Sequence, residues 1–100
     1  MISSAKWSQL SLAQQLGNVG SEIARARHWQ ERHDLESRNR ALARALELMD
    51  LTLDDARWQA RLRELCLLRE VLSDWFSGQN QYAVSLQDLE TYCLQLSLRS

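Results

Sequence analysis

The sequence contains no proline and only three glycines among its 100 residues. Both residue types mark turns, so their scarcity argues against an all-β domain and favours long helices. The chain also lacks a run of about 18 apolar residues, and its first residues, MISSAKWSQL, show neither the basic start nor the apolar stretch of a secretion signal. We therefore expect a cytoplasmic protein that does not associate with a membrane.

The charge pattern bears on the partners of the protein. Its formal net charge is −1 and its pI is about 6.1, which argues against a nucleic-acid partner because nucleic-acid-binding domains are usually basic. Residues 1–44 hold seven cations and four carboxylates, a balance of +3, whereas residues 45–100 hold five cations and nine carboxylates, a balance of −4. This asymmetry favours docking of the basic segment on the acidic one, within a chain or between two copies.

Motifs for metal binding are also missing. Cys66 and Cys93 lie in apolar helical patterns without CxxC spacing, which predicts buried free thiols. His28 and His33 are the only histidines, and their spacing places them about 140° apart on a helix, a poor geometry for sharing a metal ion. We therefore expect no metal ion and no cofactor.

Hydrophobic spacing predicts four helices. Their predicted N-caps and ends are, in order, Ser11 and Trp29, Asp34 and Met49, Thr52 and Gly78, and Ser85 and Leu96. The links between them are short, so consecutive helices should be neighbours. We predict one all-α domain over residues 1–100, an antiparallel four-helix bundle with a short C-terminal helix. Residues 1–8 precede the first helical pattern and form a candidate disordered segment.

The third predicted helix has the broadest apolar face in the chain. Its predicted core residues are Trp58, Leu62, Leu65, Leu72 and Phe76. Trp75 lies one step around the helix, and Tyr82 follows in the loop GQNQYAV. One hypothesis makes Trp75 and Tyr82 an aromatic anchor for a partner or a second subunit. The alternative is that Trp75 covers the edge of the core.

Arg69 is the charged residue closest to that apolar face, which makes it a candidate buried polar residue. A buried guanidinium needs a carboxylate, and Glu22 and Asp50 are the candidate partners. The alternative interpretation is a solvated face of ion pairs, which is common on bundle helices.

Two glycines interrupt the first predicted helix, in the segment QQLGNVGSEIARARHW. Each costs about 1 kcal/mol relative to alanine in a helix interior. Gly17, Ser21 and Ala24 form a row of small residues, with Gly20 beside it, and a neighbouring backbone can approach closely along such a row. This strip predicts close packing within the bundle or across a dimer. A cofactor-binding loop is disfavoured because no strand precedes the glycines.

One short motif supports an enzyme hypothesis. The segment RHWQERH, from Arg27 to His33, resembles the Arg-polar-x4-His motif of the HEPN superfamily, helical RNA-cleaving proteins that are often dimers in toxin–antitoxin systems. The resemblance implies that Arg27 stabilises a phosphorane charge and that His33 transfers a proton. It covers seven residues, and the motif closes the first helix here, whereas it lies late in the bundle in that family.

Longer segments resemble proteins of another group. LGNVGSEIARARHW, RALELMDLTL and RELCLLREVLSDWFSGQNQY together look like short uncharacterised bacterial proteins predicted to be helical bundles. This resemblance implies the fold and brings no activity, cofactor or partner. We interpret the protein as a small non-catalytic interaction or scaffold module that forms a homodimer. A HEPN-like RNA-cleaving protein and an accessory subunit of a larger enzyme are the alternatives.

Overall fold

The computed structural model describes residues 3–100, and this part of the chain is all-α. The helices are α1 (Ser4–Trp7), α2 (Leu12–Glu31), α3 (Leu35–Leu53), α4 (Leu62–Ser77) and α5 (Leu86–Leu98), with a 3₁₀ helix at Ala56–Arg61 between α3 and α4. No strand occurs between residues 3 and 100. The predicted fold class is therefore confirmed at the level of an all-α protein.

Local hydrogen bonds explain where three of the helices begin. The Ser11 hydroxyl accepts from the backbone N–H of Gln14, whose side chain accepts from the Ser11 N–H in return, so both ends of a capping box are made. Asp34 caps α3 and Ser85 caps α5 in the predicted way. Hydrogen bonds from the backbone and hydroxyl of Ser37 hold the pKa of Asp34 below its ordinary value.

The cap predicted at Thr52 is wrong. Helix α3 continues to Leu53, and Thr52 is fully buried inside it. Its hydroxyl oxygen accepts a hydrogen bond of 3.1 Å from the Nε1 of Trp7, so it has a tertiary partner instead of a helix terminus to cap. The break follows at Asp55, whose carboxylate caps the 3₁₀ helix through the backbone N–H of Arg57.

The third predicted helix is therefore a 3₁₀ helix followed by α4. Trp58 has non-helical dihedral angles, φ −103° and ψ 22°, inside the first of these elements. Helix α4 then runs to Ser77, and Gly78 ends it in the left-handed region at φ 81°, as predicted.

Part of the candidate disordered segment, residues 4–7, forms the short helix α1. Ser3 caps the single turn of α1, and Trp7 at its end is only 1% exposed. A buried tryptophan removes a large apolar area from water and its N–H requires a partner, which Thr52 supplies. These contacts join α1 to α3. Residues 1 and 2 lie outside the described residues.

One apolar core is shared by all five helices. The predicted core positions Leu65 and Leu72 are fully buried, and Trp58 and Leu62 are partly buried. The prediction for Phe76 is wrong, because 43% of its surface is exposed. The apolar period continues into the last turn of α4, whereas the buried part of that helix ends at Asp74.

The packing of the helices leaves open surface beside α5. Helix α2 packs extensively on α3 and on α5, and α3 packs on α4. Helices α4 and α5 share few contacts. One groove lies between α2 and α5 and a second cleft lies between α4 and α5.

Candidate functional site

The small residues predicted on the first helix line an open groove between α2 and α5. Its volume is about 400 Å³, and its lining residues are Leu16, Gly17, Gly20, Ser21, Ala24, Arg27, Gln87, Glu90, Thr91, Leu94 and Ser97. A Cβ atom on Gly20 would meet the Sγ of Cys93 at 3.8 Å, whereas one on Gly17 would have no neighbour within 4 Å among residues 3–100. One side of the strip therefore packs on α5, and the other side faces the open groove.

Hydrogen bonds hold α5 against α2 along the groove. The thiol of Cys93 donates to the carbonyl oxygen of Leu16 at 3.2 Å, and the hydroxyl of Ser97 donates to that of Ala13 at 3.2 Å. Burial, together with the nearby charge of Glu90, raises the pKa of the Cys93 thiol to about 12. The thiol thus stays protonated and donates to Leu16. This hydrogen bond and that of Ser97 hold α5 in place as one wall of the groove.

The groove surface carries little net charge. Its charged lining residues are Arg27 and Glu90, and Arg27 Nε donates to Glu90 Oε1 at 2.9 Å. Leu94 projects at the rim, with 58% of its surface exposed. A surface of small uncharged residues beside an exposed leucine is suited to contact with another protein.

The two residues of the RNA-cleavage hypothesis occupy different settings. Arg27 bonds to Glu90 and also lies 3.5 Å from a carboxylate oxygen of Glu31. His33 is exposed, with a φ of 59°, in the turn after α2. Within residues 3–100, no hydrogen bond joins Arg27 to His33. The structure instead pairs Arg27 with two carboxylates, which use two of its five guanidinium N–H donors and would compete with a phosphate for the cation.

Trp75 and Tyr82 lie at the same end of α4 but differ in exposure. The Nε1 of Trp75 donates to the carbonyl oxygen of Val84 at 2.7 Å, and the Trp75 side chain is partly buried against the core. Tyr82 is 48% exposed, and its hydroxyl bonds to Glu70 at 3.2 Å. The charge of Glu70 raises the pKa of Tyr82. Trp75 thus holds the following loop, while Tyr82 offers an accessible aromatic surface.

Arg69 and Cys66 are both accessible to solvent, which for Arg69 agrees with the alternative of a solvated ion pair. The side chain of Arg69 is 38% exposed and its Nε donates to Asp50 Oδ1 at 2.6 Å, which raises the pKa of Arg69. Asp50 is one of the two predicted partners, while Glu22 pairs with Arg25 and Arg44. Arg69 is therefore part of a solvated ion pair. Cys66 is exposed and Cys93 is buried, so the prediction of burial is wrong for Cys66.

Sequence reasoning missed the second cleft, between α4 and α5. Its volume is about 400 Å³ and its lining residues are Leu67, Leu68, Val71, Tyr82, Val84, Asp88, Leu89 and Tyr92. Leu67 is 45% exposed, whereas Leu68 beside it is fully buried. Two adjacent leucines on one helix point in directions about 100° apart, and this widening of the apolar face is the signal in the sequence.

The described residues provide neither a membrane-spanning helix nor a metal site. No helix between residues 3 and 100 has the length and apolar content needed to cross a membrane. In the same part of the chain, no group of three or more His, Cys, Asp or Glu side chains is placed to hold a metal ion.

Comparison with family models, with curated proteins and with solved structures gives no match to this chain. The functional interpretation therefore depends on the chain's own residues, and chiefly on its two open surfaces beside α5.

Proposed function

We propose that the protein is a small non-catalytic helical interaction module that associates with a second copy of itself through the groove between α2 and α5. The observation that supports this most is the exposure of Gly17 and Ser21 along an open groove next to Leu94. Small residues let a second helix approach closely. A chain of 100 residues gains burial from self-association that its own core supplies only in part.

The chemistry of the groove suits a two-fold contact. In a two-fold dimer the same patch is used by both copies, so each copy must offer both a projection and a recess. Leu94 provides the projection and the side of Gly17 provides the recess. The ion pair between Arg27 and Glu90 neutralises the charged end of the groove, which lowers the cost of removing it from water.

The proposal includes a finer description of the fold, in which α2 to α5 form an antiparallel four-helix bundle. Contacts near the helix ends support it. Arg27 near the end of α2 bonds to Glu90 near the start of α5, whereas Ser97 near the end of α5 bonds to Ala13 near the start of α2. The same alternation is supported for α2 and α3 by contacts from Gln30 to Arg38 and from Glu22 to Arg44. For α3 and α4 it is supported by contacts from Asp50 to Arg69 and from Arg38 to Trp75. A cytoplasmic location is also part of the proposal, because an exposed thiol such as Cys66 stays reduced there.

Measurement of mass as a function of concentration tests the dimer. Sedimentation equilibrium should give twice the 11.6 kDa chain mass for the unmodified protein. Gly17→Leu should shift the protein to monomers, because a Cβ there meets no atom of residues 3–100 within 4 Å and the added side chain fills the recess that the second copy needs. Leu94→Gln should weaken association about tenfold by removing the apolar projection.

Leu35→Gln provides the matched control. Leu35 is 50% exposed, similar to Leu94, but it does not line the groove. This variant should remain dimeric, and all variants should keep the helical circular dichroism of the unmodified protein. A monomeric mass for the unmodified protein at all concentrations contradicts the proposal, as does equal weakening by Leu35→Gln and Leu94→Gln.

A further inference from the structure

The second cleft has apolar walls that are held in place by the fold. Leu68 and Leu89 line the cleft from opposite helices and are buried, and Leu67 and Tyr82 leave exposed apolar surface at its opening. The cleft volume of about 400 Å³ lies within the range typical of binding sites. A partner can therefore bury apolar side chains here without first separating α4 from α5.

The loop between α4 and α5 forms a preorganised end wall. The carboxylate of Asp74 accepts hydrogen bonds from the backbone N–H groups of Gln81 and Tyr82, at 2.8 and 3.2 Å. The Nε1 of Trp75 holds the carbonyl oxygen of Val84 at 2.7 Å. These bonds keep Tyr82 and Val84 in position, so a partner does not bear the entropic cost of ordering the loop.

The end of the cleft next to this loop is acidic. Glu70 and Asp88 make no ion pair with any residue between 3 and 100, and Glu70 bonds only to the Tyr82 hydroxyl. The neighbouring cations on α4 are engaged elsewhere, since Arg69 pairs with Asp50. Arg63 lies one turn before Leu67, toward the other end of the cleft. A cation on a partner is thus favoured at the Glu70 and Asp88 end.

We propose that the cleft formed by α4, α5 and Tyr82 docks an amphipathic helix of another protein, with Lys or Arg flanking its apolar face at the Glu70 and Asp88 end. A helix is favoured over an extended peptide because both long walls are helices, and residues 3–100 contain no strand edge to which a peptide could add. Side chains spaced by three and four residues on the partner match a groove between two helices. The charge of the rim sets the sign of the partner's flank.

A synthetic peptide provides the probe. It has about 15 residues, leucines spaced by three and four positions on one face, lysines beside them, and a fluorescent label for anisotropy. A scrambled peptide of the same composition controls for the apolar pattern. A third peptide, with glutamate in place of lysine, controls for charge. The patterned lysine peptide should bind more tightly than both.

Protein variants identify the site. Leu67→Gln should weaken binding of the lysine peptide about tenfold, and Asp88→Asn should weaken it about threefold by removing a rim charge. Leu35→Gln is the matched control and should leave binding unchanged, because Leu35 lies outside the cleft. Leu67 is 45% exposed, so its replacement should preserve the helical circular dichroism.

Four results overturn the inference: no binding of the lysine peptide, equal binding of the scrambled peptide, equal binding of the glutamate peptide, or unchanged binding by Leu67→Gln. A loss of self-association in Leu67→Gln also overturns it, because the occupant of the cleft would then be a second copy. The proposed dimer is judged separately, by the mass of variants at Gly17 and Leu94. Failure of one proposal therefore leaves the other standing.

Discussion

The Oε1 of Gln15 accepts a hydrogen bond of 3.0 Å from the indole Nε1 of Trp58. The same buried amide donates from Nε2 to the carbonyl oxygen of Trp7 at 2.9 Å and lies 3.5 Å from Asp55 Oδ2. Gln15 is completely buried. One side chain of α2 therefore joins α1 to the 3₁₀ helix, and it replaces the apolar contact that a core position usually makes.

Gln15→Leu should destabilise the fold because it leaves the partly buried indole N–H of Trp58 without its partner and removes one of the two hydrogen bonds to the Trp7 carbonyl oxygen. An unsatisfied buried group costs about 1–3 kcal/mol, and each 1 kcal/mol lowers the melting temperature by about 4–8 °C for a domain of this size. Thermal unfolding followed by circular dichroism measures the change. Gln9→Leu is the control, because the Gln9 side chain is exposed and makes no hydrogen bond with any residue from 3 to 100. Equal melting temperatures for the two variants would show that the network contributes nothing.

Acid should weaken the contact between Asp55 and Arg57. Hydrogen bonds from the Arg57 guanidinium hold the pKa of Asp55 at about 2, below its ordinary value of 3.8. Because the folded pKa is depressed, this contribution to stability is complete above about pH 4 and is lost as the pH falls toward 2.

Unfolding by urea at a series of pH values from 6 to 2 tests this prediction. The difference in free energy of unfolding between the unmodified protein and Asp55→Asn should shrink between pH 4 and 2. Arg57→Gln removes the cation and should make the free energy of unfolding less dependent on pH between pH 4 and 2. A difference that stays constant down to pH 2 contradicts the low pKa of Asp55.

The two cysteines should react at very different rates. Cys66 is exposed, whereas Cys93 is fully buried and its thiol has a pKa of about 12. Since the thiolate is the reactive form, an aromatic disulfide reagent should label Cys66 alone in the folded protein and both cysteines after unfolding. Cys66→Ser should abolish labelling of the folded protein. Rapid labelling of this variant would mean that α5 separates readily from α2.

The success of the sequence predictions depended on how far apart in the chain the interacting atoms are. The caps at Ser11, Asp34 and Ser85 use backbone groups only three residues away, so local sequence was enough to predict them. Thr52 has an equally good capping side chain, but its partner is Trp7, which is 45 residues distant. No local pattern reveals such a pairing, and tertiary packing decided the end of α3.

The same limit applies to the candidate surfaces. The strip containing Gly17 and Gly20 was predictable because residues spaced by three and four share a helix face. Which part of the strip α5 covers depends on the approach of Cys93 to Gly20, a tertiary contact. The cleft beside Leu67 could not be predicted from the spacing along one helix, because it arises from two helices that share few contacts.

Substitutions of Arg27 and His33 should have separate effects on stability, and the two residues should not cleave RNA together. Arg27→Ala should cost about 0.2–1 kcal/mol of stability by removing the half-exposed ion pair with Glu90, whereas His33→Ala should leave melting unchanged, because the imidazole is exposed. A labelled single-stranded RNA incubated with the purified protein should stay intact. Cleavage that both substitutions abolish would contradict the non-catalytic proposal and favour the RNA-cleaving alternative.

The same substitution at two glycines should have opposite effects. Gly78 has a φ of 81°, and an alanine forced into that left-handed conformation costs about 1–2 kcal/mol. Gly17 lies inside α2, where a Cβ would meet no described atom within 4 Å, so alanine there should gain about 1 kcal/mol from helix propensity. Gly78→Ala should thus lower the melting temperature and Gly17→Ala should raise it.

Both glycine variants must be measured at a concentration where the protein is monomeric, because a side chain at Gly17 also enters the recess proposed for the second copy. Under that condition the fold of the monomer alone determines whether the melting temperature rises or falls. A rise in melting temperature for Gly17→Ala in dilute solution, together with weaker association in concentrated solution, would mean that the glycine serves the contact between copies at the expense of the helix. A fall in dilute solution would instead mean that Gly17 is needed by the monomer, because its missing side chain makes room for a contact within the fold.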